Sequence, residues 1–123
     1  MNKSKLLKIA LIAIGIGCLG LMPLSKIWPG GFLWHGGEGQ YYFQMIAAIY
    51  AVLGVMLIWA SRNPSEHRSL IWFTIWSSIA HGGVMALQAM GDHHETAHLY
   101  GDVPMLFAAA LVLWLLMPPR VTN

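Results

Sequence analysis

The sequence predicts an all-α integral membrane protein, a bundle of four transmembrane helices with both chain termini in the cytoplasm. Of its 123 residues, 57% are apolar and only 10% are charged, a composition outside the range of ordinary soluble domains. The apolar residues form four blocks that approach or reach the roughly 20 helical residues needed to cross a hydrocarbon core. With the termini inside, every Lys and Arg except Lys26 lies on the cytoplasmic side, as the bias of basic flanks requires.

The four predicted helices form a single domain, residues 1–123, and span residues 6–24, 41–60, 69–90 and 101–117. A cleaved signal peptide is the alternative for the first block, and we disfavour it because the apolar run continues past Cys18. Ser65 is the candidate N-cap of the third helix. Asp102 is the candidate N-cap of the fourth, with Pro104 tolerated in its first turn.

Two loops are predicted on the outer side of the membrane. The first, residues 25–40, is rich in Pro, Gly and Trp, which is typical of a structured loop on the membrane surface. We expect its aromatic side chains Trp28, Phe32 and Trp34 at headgroup level, where amphipathic rings are favoured. The second loop covers residues 91–102. The histidines of the two outer loops are His35, His93, His94 and His98.

Residues 94–98 read His-Glu-Thr-Ala-His, a pattern in which two histidines bind zinc and the glutamate acts as general base. A metalloprotease also needs a buried helix, a third protein ligand and a substrate cleft, which a short loop does not provide. Metal binding without catalysis is less demanding. Its candidate ligands are His94, His98, His93, Asp102 and His35. The alternative, which we favour from the sequence, is a solvated polar loop between two helix ends.

His81 lies near the middle of the third span, where a polar side chain is costly unless it is paired. Tyr50 on the second span lies at the same depth, so we predict a hydrogen bond between the two. At helical spacing His81 belongs to a polar stripe that faces the bundle interior. The predicted intramembrane polar site comprises His81, Tyr50, Ser77, Ser78 and Gln88. Its functional interpretation is a pocket for a quinone headgroup, a haem or a proton path, and its structural interpretation is a seam that fixes helix pairing.

The residues disfavour several other classes of protein. Cys18 is the single cysteine, so no intrachain disulfide forms. The basic residues form no patch, which disfavours nucleic acid as a partner. Gly15, Gly17 and Gly20 spell a dinucleotide-binding pattern, but no strand precedes them and a close helix contact is the better interpretation. A small four-span antiporter needs a carboxylate inside the membrane, whereas we expect every Asp and Glu in a loop.

A set of short motifs runs along most of the chain: Trp34-His35, Ser61-Arg62-Asn63-Pro64, Trp76-Ser77-Ser78 and Gly101-Asp102-Val103-Pro104. This set resembles a family of small bacterial four-span membrane proteins of unknown function. The resemblance implies the fold and a bacterial inner-membrane location, and it implies no activity, cofactor or catalytic residue. A likeness in size and span count to DoxX-type proteins, which are associated with quinone chemistry, is an analogy only.

From the sequence we expect a non-enzymatic accessory or assembly subunit that packs against a larger membrane complex or against a second copy. Its partners would be the lipid bilayer and another membrane protein. The small-residue faces that would serve this packing are Gly15/Gly17/Gly20, Ala47/Ala51/Gly54 and Ala108–Ala110. The alternative is a redox or ligand-binding membrane module that uses His81 and the outer histidines. Metal, haem and quinone are its candidate cofactors, and the sequence requires none of them.

Overall fold

The structure, a computed structural model, describes residues 1–34 and 39–120. These residues form helices joined by short turns, with no strand among them, which confirms the predicted all-α class. The α-helices are α1 (Lys3–Leu19), α2 (Leu21–Ile27), α3 (Pro29–Phe32), α4 (Gly39–Ala60), α5 (Arg68–Gly91) and α6 (Asp102–Leu116). Two 3-10 segments, Pro64–His67 and His93–Leu99, come before α5 and α6.

Three helical segments are each long and apolar enough to cross a membrane. They are Tyr41–Ala60, Pro64–Gly91 and His93–Leu116, so the 3-10 segments lengthen α5 and α6. The helices α1 and α2 meet the same criterion only as a pair. The described residues therefore contain three candidate spans, or four if the α1–α2 pair counts as one.

The first predicted span is bent. The axes of α1 and α2 meet at Gly20 with an angle of 59°, where we expected one continuous helix over residues 6–24. Pro23 accounts for the break, because it has no amide N–H to donate and its ring clashes with the carbonyl of Leu19, four residues earlier. At the end of α1, the N–H of Gly20 donates to the carbonyls of Ile16 and Gly17, at 2.8 and 3.1 Å.

The starts of α5 and α6 differ from the predicted caps. Ser65 lies inside the 3-10 segment, and His67 holds the N-cap position of α5 without a side-chain hydrogen bond. Asp102 is the first residue of α6, and Gly101 holds the N-cap position. Both cap predictions are therefore wrong. Pro104 does lie in the first turn of α6, and the carboxylate of Asp102 still complements the positive end of that helix.

The helices pack mainly in two pairs, α1 against α4 and α5 against α6, and α1 also contacts α6. Among the described residues α4 and α5 make far fewer close contacts with each other. An apolar core fills the end of the bundle where α1 and α5 begin and α4 and α6 end, which we call the inner end. Its residues are Leu7, Leu11, Leu57, Ile71, Ile75, Ala110 and Leu113.

The pair α1–α4 is tightest where Gly15 faces Gly54. A Cβ atom added at Gly54 would lie 2.5 Å from the carbonyl oxygen of Gly15, and one added at Gly15 would lie 2.7 Å from the carbonyl oxygen of Gly54. Only glycine allows two helix backbones to approach so closely. Gly15 therefore makes the close helix contact that the sequence predicts, and this contact is internal to the chain.

The glycine contact gives a stability prediction. We expect Gly54→Ala to lower the free energy of unfolding by roughly 1–3 kcal/mol, because the new methyl group overlaps backbone atoms that cannot move aside. Gly83→Ala is the matched control, since a Cβ there meets nothing within 4 Å, and alanine favours helix. Thermal melting of both variants in detergent, followed by circular dichroism, measures the difference. Equal melting temperatures for the two variants would show that α1 and α4 can move apart at Gly54 without a loss of stability.

Candidate binding cavity

A cavity of about 600 Å³ lies between α1, α4, α5 and α6, in the half of the bundle away from the apolar core. This volume is in the range of small-molecule binding sites, roughly 300–1,000 Å³. Most of its walls are apolar. The space exists because α1 and α6 present small residues to it: Ala10, Ala13, Gly17, Ala108 and Ala109. Gly17 and the start of the predicted Ala108–Ala110 face thus border the cavity.

Tyr50 of α4 and His81 of α5 form a hydrogen bond at the wall of the cavity. The Tyr50 hydroxyl lies 2.7 Å from Nδ1 of His81, which confirms the predicted contact. Either the hydroxyl donates to Nδ1 or, in the other tautomer, Nδ1–H donates to the phenolic oxygen. Because α4 and α5 otherwise make few close contacts, this bond is a direct tie between them.

The polar stripe of α5 lies along the same cavity. Ser78 and Gln88 line it together with Tyr50 and His81, and Thr74 lines it too. Ser77, the remaining member of the predicted site, is not among the lining residues, and its hydroxyl donates to the carbonyl of Thr74 at 3.3 Å. The structure therefore brings four of the five predicted intramembrane residues to one cavity.

A buried group of side chains closes the end of the cavity opposite the apolar core. His98 is fully buried. Its Nδ1 lies 2.9 Å from Oδ1 of Asp102, and its Nε2 lies 3.2 Å from Oε2 of Glu95. The ring of Trp34 stacks on the imidazole, with centroids 4.2 Å apart and planes inclined by 21°. We call Trp34, Glu95, His98 and Asp102 the outer cluster.

The outer cluster corrects the prediction of a solvated loop over residues 91–102. The 3-10 segment packs on α5 and on α3, and this burial leaves Glu95 4% and His98 0% exposed. Glu95 precedes His98 by three residues and Asp102 follows it by four, so near-helical spacing places both carboxylates beside one ring. Gly31 and Gly101 allow this packing, because the carbonyl of Gly31 occupies the space that a Cβ on Gly101 would need.

The residues of the predicted metal site differ in their exposure to solvent. His93 and His94 are exposed, whereas His98 is buried between two carboxylates. Within residues 1–34 and 39–120, no group of three His, Cys, Asp or Glu side chains is arranged to hold a metal ion. His35 lies outside the described residues. Metal binding by the His-Glu-Thr-Ala-His motif therefore stays a prediction.

The three aromatic residues expected at headgroup level have different surroundings. Trp28 is 43% exposed. Phe32 is buried, lines the cavity and contacts Trp28 edge-to-face, with centroids 5.9 Å apart. Trp34 also lines the cavity and stacks on His98. Phe32 and Trp34 thus pack inside the protein, and the prediction fits only the exposure of Trp28.

Asp102 is the site residue whose role the sequence prediction missed. We expected every carboxylate in a loop, yet Asp102 is the first residue of α6 and its side chain lines the cavity. Within the described part of the chain, no Lys or Arg lines the cavity. The arrangement can therefore hold an apolar molecule, with hydrogen-bonding groups along α5 and one carboxylate at the outer end.

The Tyr50–His81 bond is open to a direct test. His81→Ala leaves the Tyr50 hydroxyl without this partner, and we expect a loss of about 0.5–2 kcal/mol of stability, the range for hydrogen bonds between membrane helices. The loss in the double variant with Tyr50→Phe should be smaller than the sum of the two single losses. Thermal melting measures each value. The control is Tyr42→Phe, since Tyr42 is exposed on the same helix. An unchanged melting temperature for His81→Ala would show that the bond between Tyr50 and His81 does not stabilise the protein.

The outer cluster gives a larger expected effect. His98→Ala leaves the buried carboxylate of Glu95 and the partly buried carboxylate of Asp102 without the imidazole between them, and we expect a loss of roughly 3–5 kcal/mol. His94→Ala changes the same residue type in the same 3-10 segment at an exposed position and should leave stability nearly unchanged. Chemical denaturation in detergent compares them. If both variants lost equal stability, the burial of His98 would have no energetic importance.

Comparison with known proteins bears on the family alone. The chain matches the sequence profile of a family of unknown function, DUF6632, over residues 1–121. Searches among curated proteins and among solved structures find no match. The resemblance to a family of unknown function noted in the sequence is confirmed. Since the match covers nearly the whole chain, this protein belongs to the DUF6632 family.

Proposed function

We propose that this chain is a multi-pass protein of the bacterial inner membrane that binds a small lipophilic molecule in the cavity between α1, α4, α5 and α6. The membrane location is supported by the surfaces of the candidate spans. Large apolar side chains are exposed along them, among them Ile49, Val52, Phe73, Trp76, Leu87 and Trp114. Water would solvate such surfaces poorly, whereas lipid chains would contact them favourably.

The cytoplasmic position of both termini is part of this proposal. The inner end of the bundle carries the lysines in the first turns of α1, Arg62 between α4 and α5, and Arg68 at the start of α5. Retention of such residues in the cytoplasm would orient the bundle with the cavity in its outer half. A ligand would then reach the cavity from the outer leaflet or the outer surface.

The cavity is the observation that carries the binding proposal. The space of about 600 Å³ is partly open to the surroundings, and the side chains along it lack van der Waals contacts unless a molecule occupies it. A polar seam that only fixes helix pairing has no need of such a space. A bound apolar molecule would restore the missing contacts.

The polar side chains along α5 would orient that molecule. A ligand could replace one partner of the hydrogen bond between Tyr50 and His81. Ser78 and Gln88 lie along the same cavity. A quinone headgroup is compatible with this donor set. Haem is less well supported, because His81 is the one histidine among the described residues that line the cavity, and each ring nitrogen of His98 already lies within 3.2 Å of a carboxylate oxygen.

The accessory-subunit hypothesis stays a prediction with weaker support. Two of the glycines that were expected to face a partner, Gly15 and Gly54, contact each other inside the chain. No reaction is proposed for the cavity, since binding alone accounts for its shape and its polar wall.

Extraction of the purified protein tests the proposal. We expect protein isolated from native membranes in mild detergent to release a lipophilic molecule in near-stoichiometric amount, identified by mass spectrometry. Ala109→Phe should abolish this retention by filling the cavity, since Ala109 lines it. Ala80→Phe is the matched control on an exposed face of α5. Equal retention by both variants, or no retained molecule in the wild type, would contradict the proposed function.

A further inference from the structure

The binding cavity is elongated along the helix axes. Its lining residues run from Thr74 to Gln88 on α5 and from Phe43 to Leu53 on α4. At the helical rise of about 1.5 Å per residue, these stretches measure roughly 21 and 15 Å. A volume of about 600 Å³ spread over such a length leaves a space much longer than it is wide. A flexible hydrocarbon chain that lies parallel to the helices fits this space better than a compact, rigid molecule.

The helices enclose the cavity least completely between α4 and α5. Close packing joins α4 to α1 and α6 to α5, and α1 also contacts α6, whereas the described parts of α4 and α5 make far fewer close contacts with each other. The Tyr50–His81 hydrogen bond crosses this side of the bundle. Ile46 of α4 and Gln88 of α5 line the cavity and are also exposed, which indicates that the cavity opens here. Under the proposed membrane location, this opening faces lipid.

The outer end of the cavity offers partners for an uncharged polar group. Gln88 lies near the end of α5, and Asp102 is the first residue of α6. A hydroxyl group both donates and accepts, so it can pair with the amide of Gln88 and with the carboxyl of Asp102 in either protonation state. Within residues 1–34 and 39–120 no Lys or Arg lines the cavity, so an anionic group would be buried there at a high cost. The carboxyl of Asp102 already has His98 as a partner, so a cationic group would gain little.

We propose that the ligand of this cavity is a lipid of the surrounding bilayer with one flexible hydrocarbon chain and an uncharged hydroxyl head, such as a long-chain alcohol or a monoacylglycerol. Its hydrocarbon chain lies between α1, α4, α5 and α6, and its head lies beside Gln88 and Asp102. This inference rests on the proposed function and names its ligand class. The hydrocarbon chain supplies the van der Waals contacts that the apolar walls lack.

Photolabelling in lipid nanodiscs tests the ligand class. The probe is hexadecanol with a diazirine halfway along its hydrocarbon chain, and labelled residues are identified by mass spectrometry of the peptides. In the wild type we expect adducts on Met85, which lines the cavity and is otherwise buried. Ala109→Phe should reduce this labelling several-fold by filling the cavity. Ala80→Phe, on an exposed face of α5, is the control and should preserve it.

Competition by unlabelled compounds, at equal mole fractions in the bilayer, tests the shape and the head of the ligand separately. We expect hexadecanol to suppress the labelling of Met85 several-fold. Hexadecyl phosphate and hexadecyltrimethylammonium keep the hydrocarbon chain but carry a charged head, and both should compete much less. Adamantanol keeps the hydroxyl group on a compact, rigid body, and it should also compete much less.

The outcomes distinguish this inference from the proposed function. Equal competition by either charged compound would overturn the uncharged head, and equal competition by adamantanol would overturn the flexible chain. Absence of labelling at Met85 in the wild type would overturn the ligand class as a whole. The extraction experiment then decides separately whether the cavity retains any molecule. If Ala109→Phe fails to fold, the competition series with the wild-type protein decides the inference.

Discussion

The buried imidazole of His98 is the interaction on which the outer half of the molecule depends. It contacts Glu95 in its own 3-10 segment, Asp102 at the start of α6 and, from a distant part of the chain, Trp34 after α3. Buried carboxylates require a partner of this kind, since unpaired charges are strongly destabilising away from water. The three segments are thereby fixed relative to one another. Without these contacts of His98, the side chains at the outer end of the cavity would not be held in place.

The two ends of the bundle use their residues differently. Toward the inner end, Leu7, Leu57 and Leu113 are buried in one apolar cluster, as in an ordinary protein core. Toward the outer end, α1 and α6 present Gly and Ala to the same axis, and the helices stay apart. The Tyr50–His81 bond spans the side where α4 and α5 make few other close contacts. The inner end thus packs as an apolar core, whereas the outer end keeps a space beside α1 and α6 that a ligand can occupy.

The sequence predicted the parts of this structure that follow from regular helix geometry. A helix rises by a fixed distance per residue, so equal counts from the helix ends were enough to place Tyr50 opposite His81. The burial of Glu95 and His98 could not be predicted in this way, because it depends on the 3-10 segment folding against α3 and α5. Polar composition alone favoured a solvated loop there. The bend at Gly20 did have a local signal, Pro23, whose missing N–H disfavours a continuous helix.

Whether the His-Glu-Thr-Ala-His pattern binds a metal depends on what each ring nitrogen of its histidines contacts. A zinc-binding histidine uses one nitrogen for the metal and commonly donates the other N–H to a carboxylate or carbonyl. His98 instead has a carboxylate at each nitrogen, and His94 is exposed. Metal binding by the motif stays a prediction, and the structure shows its second imidazole packed beside one buried and one partly buried carboxylate. The carboxylate of Asp102, held by Nδ1 of His98 at 2.9 Å, is the member of this group that lines the cavity together with Trp34. In this way the same buried imidazole holds the packing of the outer end and positions two of the side chains that line the cavity.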